Sequence, residues 1–156
     1  MSIDSAEILI IEKIKSLGYS IAVLGNFKIP ASYDYLNKQN DFNIMLNYLK
    51  YCDVYIGADN GCLHVANGFS KYCFVVAGAA LPSFTTKGSN VYQCVNNLQC
   101  LHCKGRQYFN QLDQGITFVS KCENTDQYAC MKKLQTNYVL EEFNKFYANI
   151  QSHKLS

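Results

Sequence analysis

Asp59, Gly61 and His64 fall within one short stretch, YIGADNGCLHVANG, residues 55 to 68. An apolar run stops at the acid, turns through Asn-Gly, and carries the histidine onto what reads as a new helix. A simple turn needs the glycine but neither the acid nor the imidazole. Gly61 allows a sharp turn and the close approach of a ligand. At a helix start the amides of Gly61, Cys62 and Leu63 are donors without intrahelical partners. With the helix dipole they make an anion site suited to phosphate. His64, in the first turn, can add a further donor, and so can the amide of Asn60. Asp59 would repel a phosphate; it suits hydroxyl groups, as on a sugar, or a helix cap. The plainer alternative is a helix start capped by Asp59 or Asn60, with His64 a solvated surface group.

The cysteines form a second set with chemistry in it. Cys100 and Cys103 make a CxxC; Cys122 follows after eighteen residues and Cys130 after seven more. Four thiolates can build a tetrahedral site, and a metal can fix a segment that has no core of its own. The spacing is not that of a zinc ribbon, because the second pair is not CxxC, so buried thiols stand as the alternative. Thiolates suit zinc or iron in principle, in a closed structural site. His102 could replace one ligand, though four cysteines suffice without it. Cys52, Cys62, Cys73 and Cys94 lie in or beside apolar segments and read as small buried hydrophobes. His153 is expected in a frayed tail and is assigned no role.

These groups need a scaffold. Residues 5 to 17 place Ala6, Leu9, Ile10, Ile14 and Leu17 at helical spacing, with Asp4 or Ser5 to cap the start and Gly18 the end. Residues 19 to 25 read as a short apolar strand, followed by a loop through Pro30. Residues 41 to 51 predict a helix with Ile44, Leu46, Tyr48 and Leu49 mainly inward. Strands are expected at 54–57, 73–78 and 91–95, with a short helix at 61–69. Their apolar character on both faces predicts a parallel sheet covered by helices. Short alternating units argue for an α/β fold, a Rossmann-like open parallel sheet with flanking helices. In such sheets ligands bind beyond the carboxyl ends of the strands, where Asp59 to His64 would lie. Residues 97 to 121 have weak periodicity, as expected of a functional or metal-bound loop. Helices are expected at 124–134 and 137–150, the second carrying Val139, Leu140, Phe143, Phe146, Tyr147 and Ile150 on its apolar face.

At 156 residues the chain suits one domain with a real core. A net charge of +2 is too small to argue for nucleic acid or an anionic membrane surface. No apolar run reaches the length of a membrane span, and the charged N-terminal stretch is unlike a signal peptide. A cytoplasmic protein is expected, with peripheral attachment at the inner face of a membrane left open. The eight cysteines are then expected to be reduced rather than paired.

The arrangement of IGADNGCLHVANGF, the strand CFVVAG and a loop with Pro82 resembles the C-terminal domain of the heptosyltransferases, family 9 glycosyltransferases of the GT-B fold. The matching residues are Asp59, Gly61, His64, Ala66, Gly78 and Pro82. The opening helix and the VLG ending at Gly25 are similar too, as is the tail LQCLHCKGRQYF, KCEN and ACMKKL. The resemblance covers nearly all of the chain. It implies one nucleotide-sugar-binding domain over 1–156, with a cysteine-rich metal segment at 97–131 and a C-terminal helix at 137–150. It implies a nucleotide-activated sugar as donor, with ADP-heptose foremost. The diphosphate would sit against Asn60, Gly61, Cys62, Leu63 and His64, with Asp59 on the sugar hydroxyls. His64 would steady the leaving nucleotide, Gly25 and Gly78 would line the cleft, and Thr85, Thr86 and Lys87 would reach the phosphates. In some relatives four cysteines hold iron, which implies Cys100, Cys103, Cys122 and Cys130 here. The acceptor would be a lipopolysaccharide core, another bacterial glycan or a protein.

Two departures stand out. Asn60 replaces the family's serine or threonine. The acceptor-binding domain, which supplies the acidic residue expected to act as base, has no counterpart in these residues; a separate domain or polypeptide would carry it. A non-enzymatic reading follows from the same fact: a stand-alone or truncated domain serving as a metal-stabilised binding or interaction module.

Overall fold

The computed structural model describes residues 5–24, 41–78, 88–96, 98–100 and 129–154. In chain order they form α1 (Ser5–Ser16), α2 (Phe42–Tyr51), β1 (Val54–Ala58), α3 (Gly61–Gly68), β2 (Tyr72–Ala77), β3 (Val91–Val95), α4 (Ala129–Lys132) and α5 (Thr136–Lys154). They divide into two compact units: Val54–Leu134, and Met1–Asp53 with Gln135–Ser156.

The first of these units holds an open parallel sheet of order β1-β2-β3. The fold is α/β, as the alternating apolar segments predict. Strand β2 is central and runs YCFVVA, with Cys73, Phe74 and Val75 wholly buried. A central strand buried on both faces has no polar side, which explains its unbroken apolar sequence. Register pairs Ile56 with Phe74 and Phe74 with Tyr92. The Phe74 and Tyr92 rings stack at 5.9 Å. Helix α3 packs on β1 and β2 through Leu63 and Ala66, both fully buried. Burying a side chain such as Leu63 or Phe74 contributes roughly 1.5–3 kcal/mol. Parallel neighbours need a crossover, and α3 supplies it between β1 and β2.

In the second unit α1 packs against α5. The stripe Val139, Phe143, Phe146 and Ile150 recurs at helical spacing and is buried. Glu142 lies on the same side, 9% exposed, and accepts a 2.6 Å bond from Lys145 Nζ. That bond offsets the cost of burying a carboxylate and holds the ammonium of Lys145 above its ordinary range. Helix α1 ends as expected at Gly18, which has φ +83°. Tyr19 N donates to Ile14 O and Gly18 N to Lys15 O, closing the last turn in a Schellman motif.

Several expectations need correction. Residues 19 to 24 form no strand beyond a single bridge at Val23. Ile21, Val23 and Leu24 are only half-buried, and an apolar run becomes a strand only where a neighbour takes up its ladder. Leu9 and Tyr48, assigned inward, are 42% and 40% exposed. Their helices bury narrower stripes, centred on Ile10 and Leu49. Helix α4 is described only over Ala129–Lys132, residues 101–128 lying outside the described residues. Helix α5 runs on to Lys154, so His153 sits in its last turn rather than in a frayed tail. Among the described residues no helix is long and apolar enough to cross a membrane.

Candidate functional site

Strand β1 ends at Ala58, and two residues, Asp59 and Asn60, carry the chain into α3. Asn60 has extended backbone and is the N-cap of α3. Its side-chain Oδ1 accepts from Cys62 N at 2.9 Å and Leu63 N at 3.4 Å. Leu63 N also donates to the Asn60 carbonyl at 3.1 Å. Two of the three amides expected as open donors are therefore engaged by the cap. The dipole behind them remains, because the cap is neutral.

Asp59 does not cap. Its Oδ1 lies 3.9 Å from His64 Nε2, one turn into α3. The carboxylate side chain is 20% exposed and the imidazole 54%. Such a pair is attractive only when the histidine is protonated, and at that exposure it adds little to stability. What it does is place a carboxyl group beside an imidazole at the carboxyl edge of the sheet. This is the position at which open α/β sheets hold ligands.

Gly61 has no positive φ, so the turn itself does not demand glycine there. Among the described residues a Cβ at this position would meet nothing within 4 Å. Glycine leaves that space clear. Leu63 is wholly buried, so only its backbone can serve a site. Cys62 is half-buried, and burial pushes its thiol up from the ordinary thiol range.

Sequence reasoning missed Tyr55 and Gly57. The Tyr55 ring is buried, and its hydroxyl lies 3.2 Å from both Asn60 Oδ1 and Ala58 O. A Cβ on Gly57 would stand 2.6 Å from that hydroxyl. The signal was present as Tyr-x-Gly within a strand, since residues two apart share a face and the glycine leaves room for the ring. Burial, with Cys62 nearby, pushes the phenol up to about 12.

Gly78 is buried just beyond β2, where a Cβ would meet Cys130 Sγ at 2.9 Å and Met131 Sδ at 3.3 Å. Glycine at this position leaves room for those sulfurs. Cys100 follows β3 by five residues, and Cys130 lies against Gly78 just beyond β2. Among the described residues no group of three ligating side chains could hold a metal. Cys103 and Cys122 lie outside the described residues, as do Gly25, Pro82, Thr85, Thr86, Lys87 and His102. Of the cysteines expected to be buried, Cys73 and Cys94 are; Cys52 and Cys62 are half-buried. Cys52 ends α2, its thiol donating to Leu49 O at 3.4 Å.

Solved structures share this fold. The iron-containing dodecameric glycosyltransferase TibC from enterotoxigenic E. coli aligns with a TM-score of 0.67 and 17% identity over 94% of this chain. The TibC heptosyltransferase in complex with ADP-D-β-D-heptose aligns with the same TM-score and 19% identity over 96% of this chain. The fold is heptosyltransferase-like. The chain spans 41% and 42% of those TibC chains. No protein-family profile and no curated protein sequence matches it.

Proposed function

We propose that this chain is the donor-binding part of a heptosyltransferase-like glycosyltransferase, holding a nucleotide-activated sugar at the junction of β1 and α3. The observation that carries the reading is the Asp59–His64 pair at the carboxyl edge of a parallel sheet, in a fold shared with a structure holding ADP-heptose. The donor class is ADP-heptose, with lipopolysaccharide or another bacterial glycan as the destination. Asn60, Gly61 and His64, with the backbone of Cys62 and Leu63, form the diphosphate side, and Asp59 takes the sugar hydroxyls. Protonated His64 would stabilise the charge that grows on the leaving nucleotide. The base that activates the acceptor is assigned to no residue here; the site calls for an acceptor-binding domain or polypeptide alongside.

A structural zinc or iron on Cys100, Cys103, Cys122 and Cys130 belongs to the same proposal. Its support is the spacing of the four cysteines in the sequence and the iron-containing TibC that shares the fold. Bound there, the metal would cross-link the segment after β3 to the sheet. Isothermal titration of ADP-heptose into the protein tests the central reading. Binding that depends on Asp59 and His64 supports it, and no heat with any ADP-sugar removes it in favour of an interaction module.

A further inference from the structure

The cap of α3 is held from below as well as from its own helix. The two backbone donors, Cys62 N and Leu63 N, require the oxygen of the Asn60 side chain to face them, since a reversed amide would set N–H against N–H. The Tyr55 hydroxyl, a third potential donor, points at the same oxygen from the buried side. Nδ2 is thereby turned away, and among the described residues it meets no acceptor. Tyr55 reaches this position only because Gly57, on the same face of β1, leaves room for the ring.

We infer that Tyr55 is a positioning residue for the donor site: its hydroxyl, admitted by Gly57, fixes the Asn60 amide with its oxygen on α3 and its nitrogen toward the ligand. The role rests on the donor-binding reading, but its geometry does not. Tyr55 is buried and acts through Asn60; Ala58 O, also 3.2 Å from the hydroxyl, shares its single proton. The arrangement gives Asn60 a use for both ends of its amide, which the serine or threonine of the family's pattern would not need.

Tyr55→Phe keeps the ring and removes only the hydroxyl. Two readouts on the full chain separate the possibilities: amide hydrogen exchange at Cys62 and Leu63 without ligand, and ADP-heptose affinity by calorimetry. The loss of one neutral hydrogen bond predicts exchange and dissociation constants both raised roughly threefold to tenfold, with β2 amides unchanged. Gly57→Ala, which would displace the same hydroxyl, should act in the same direction. The double variant should be no worse than the poorer single, because both changes break one contact. Unchanged exchange in Tyr55→Phe overturns the clamp whatever the affinity. Faster exchange with unchanged affinity overturns the positioning role. Faster exchange in a protein that binds no ADP-heptose even as wild type sinks the donor reading and leaves the clamp standing.

Discussion

Helices α2 and α3 begin with nearly the same hydrogen bonds and opposite electrostatics. Asp41 caps α2, its Oδ1 accepting from Asn43 N at 2.8 Å and Ile44 N at 3.4 Å. Asn60 caps α3 with distances of 2.9 and 3.4 Å to Cys62 N and Leu63 N. At α2 the cap is a carboxylate, so the positive end of the dipole is neutralised on the spot. At α3 the cap is neutral, the acid has moved one residue back to Asp59, and a histidine follows in the first turn. The first helix start spends its polarity on its own stability. The second engages two of its amides with a neutral atom and leaves its field uncompensated by the cap. A matching list of hydrogen bonds therefore does not make two helix starts equivalent; the charge on the capping atom decides what each can do.

That contrast can be broken most sharply at its charged pair. Asp59→Ala or His64→Ala should each weaken ADP-heptose binding by about a hundredfold, the upper range for a charged hydrogen bond, with circular dichroism unchanged. Unfolding on either change would instead make the pair a structural element. Exchanging the caps comes next. Asn60→Asp preserves an acceptor for Cys62 N, Leu63 N and Tyr55 but gives α3 the electrostatics of α2. Affinity for ADP-heptose should fall about tenfold or more, while unfolding free energy moves by less than about 1 kcal/mol. A variant that binds as well as wild type would reduce Asn60 to a cap.

Asp41→Ala carries the reverse expectation. It should cost about 1 kcal/mol in chemical denaturation and leave affinity alone. Metal content provides an independent check on the end of the sheet where Cys130 covers Gly78. Protein purified without an affinity tag should carry about one zinc or iron per chain, and none under reducing, chelator-free conditions would remove the four-cysteine site. The smallest effect concerns Tyr55. Its phenol sits at about 12 in the folded chain, against about 10 when unfolded. Between these values the unfolded chain gives up the proton first, so stability is intact below about pH 10 and is lost as pH rises toward 12. The decline should be shallower in Tyr55→Phe, measured by urea unfolding across that window.

How much of this was legible in the sequence varied with what each residue's position depends on. Strand β3 fell on 91–95 as read, and β2 within one residue at each end, because a buried parallel strand has to be apolar throughout. The start of α3 followed from Asn-Gly after an apolar run, and the end of α1 from Gly18. Residues 19 to 24 misled because apolar content reports covering, and strand pairing needs a partner the local sequence does not name. Leu9 and Tyr48 misled because helical periodicity gives an apolar side but not its width. In the site, Asp59 and His64 were visible as polar residues unexplained by a turn. The role of Asn60 as cap was one of two options, and only the carboxylate's turn toward His64 decides it. Tyr55 was invisible as anything but a strand aromatic, since the reach of its hydroxyl to Asn60 depends on the absence of a side chain at Gly57.

The two helix starts should respond differently to a nucleotide. Backbone amide NMR shifts can be followed as ADP is added to the full chain. The account predicts shifts at Gly61, Cys62, Leu63 and His64, with Asn43, Ile44 and Met45 unmoved. Silence at the start of α3, or equal movement at both helix starts, would contradict it.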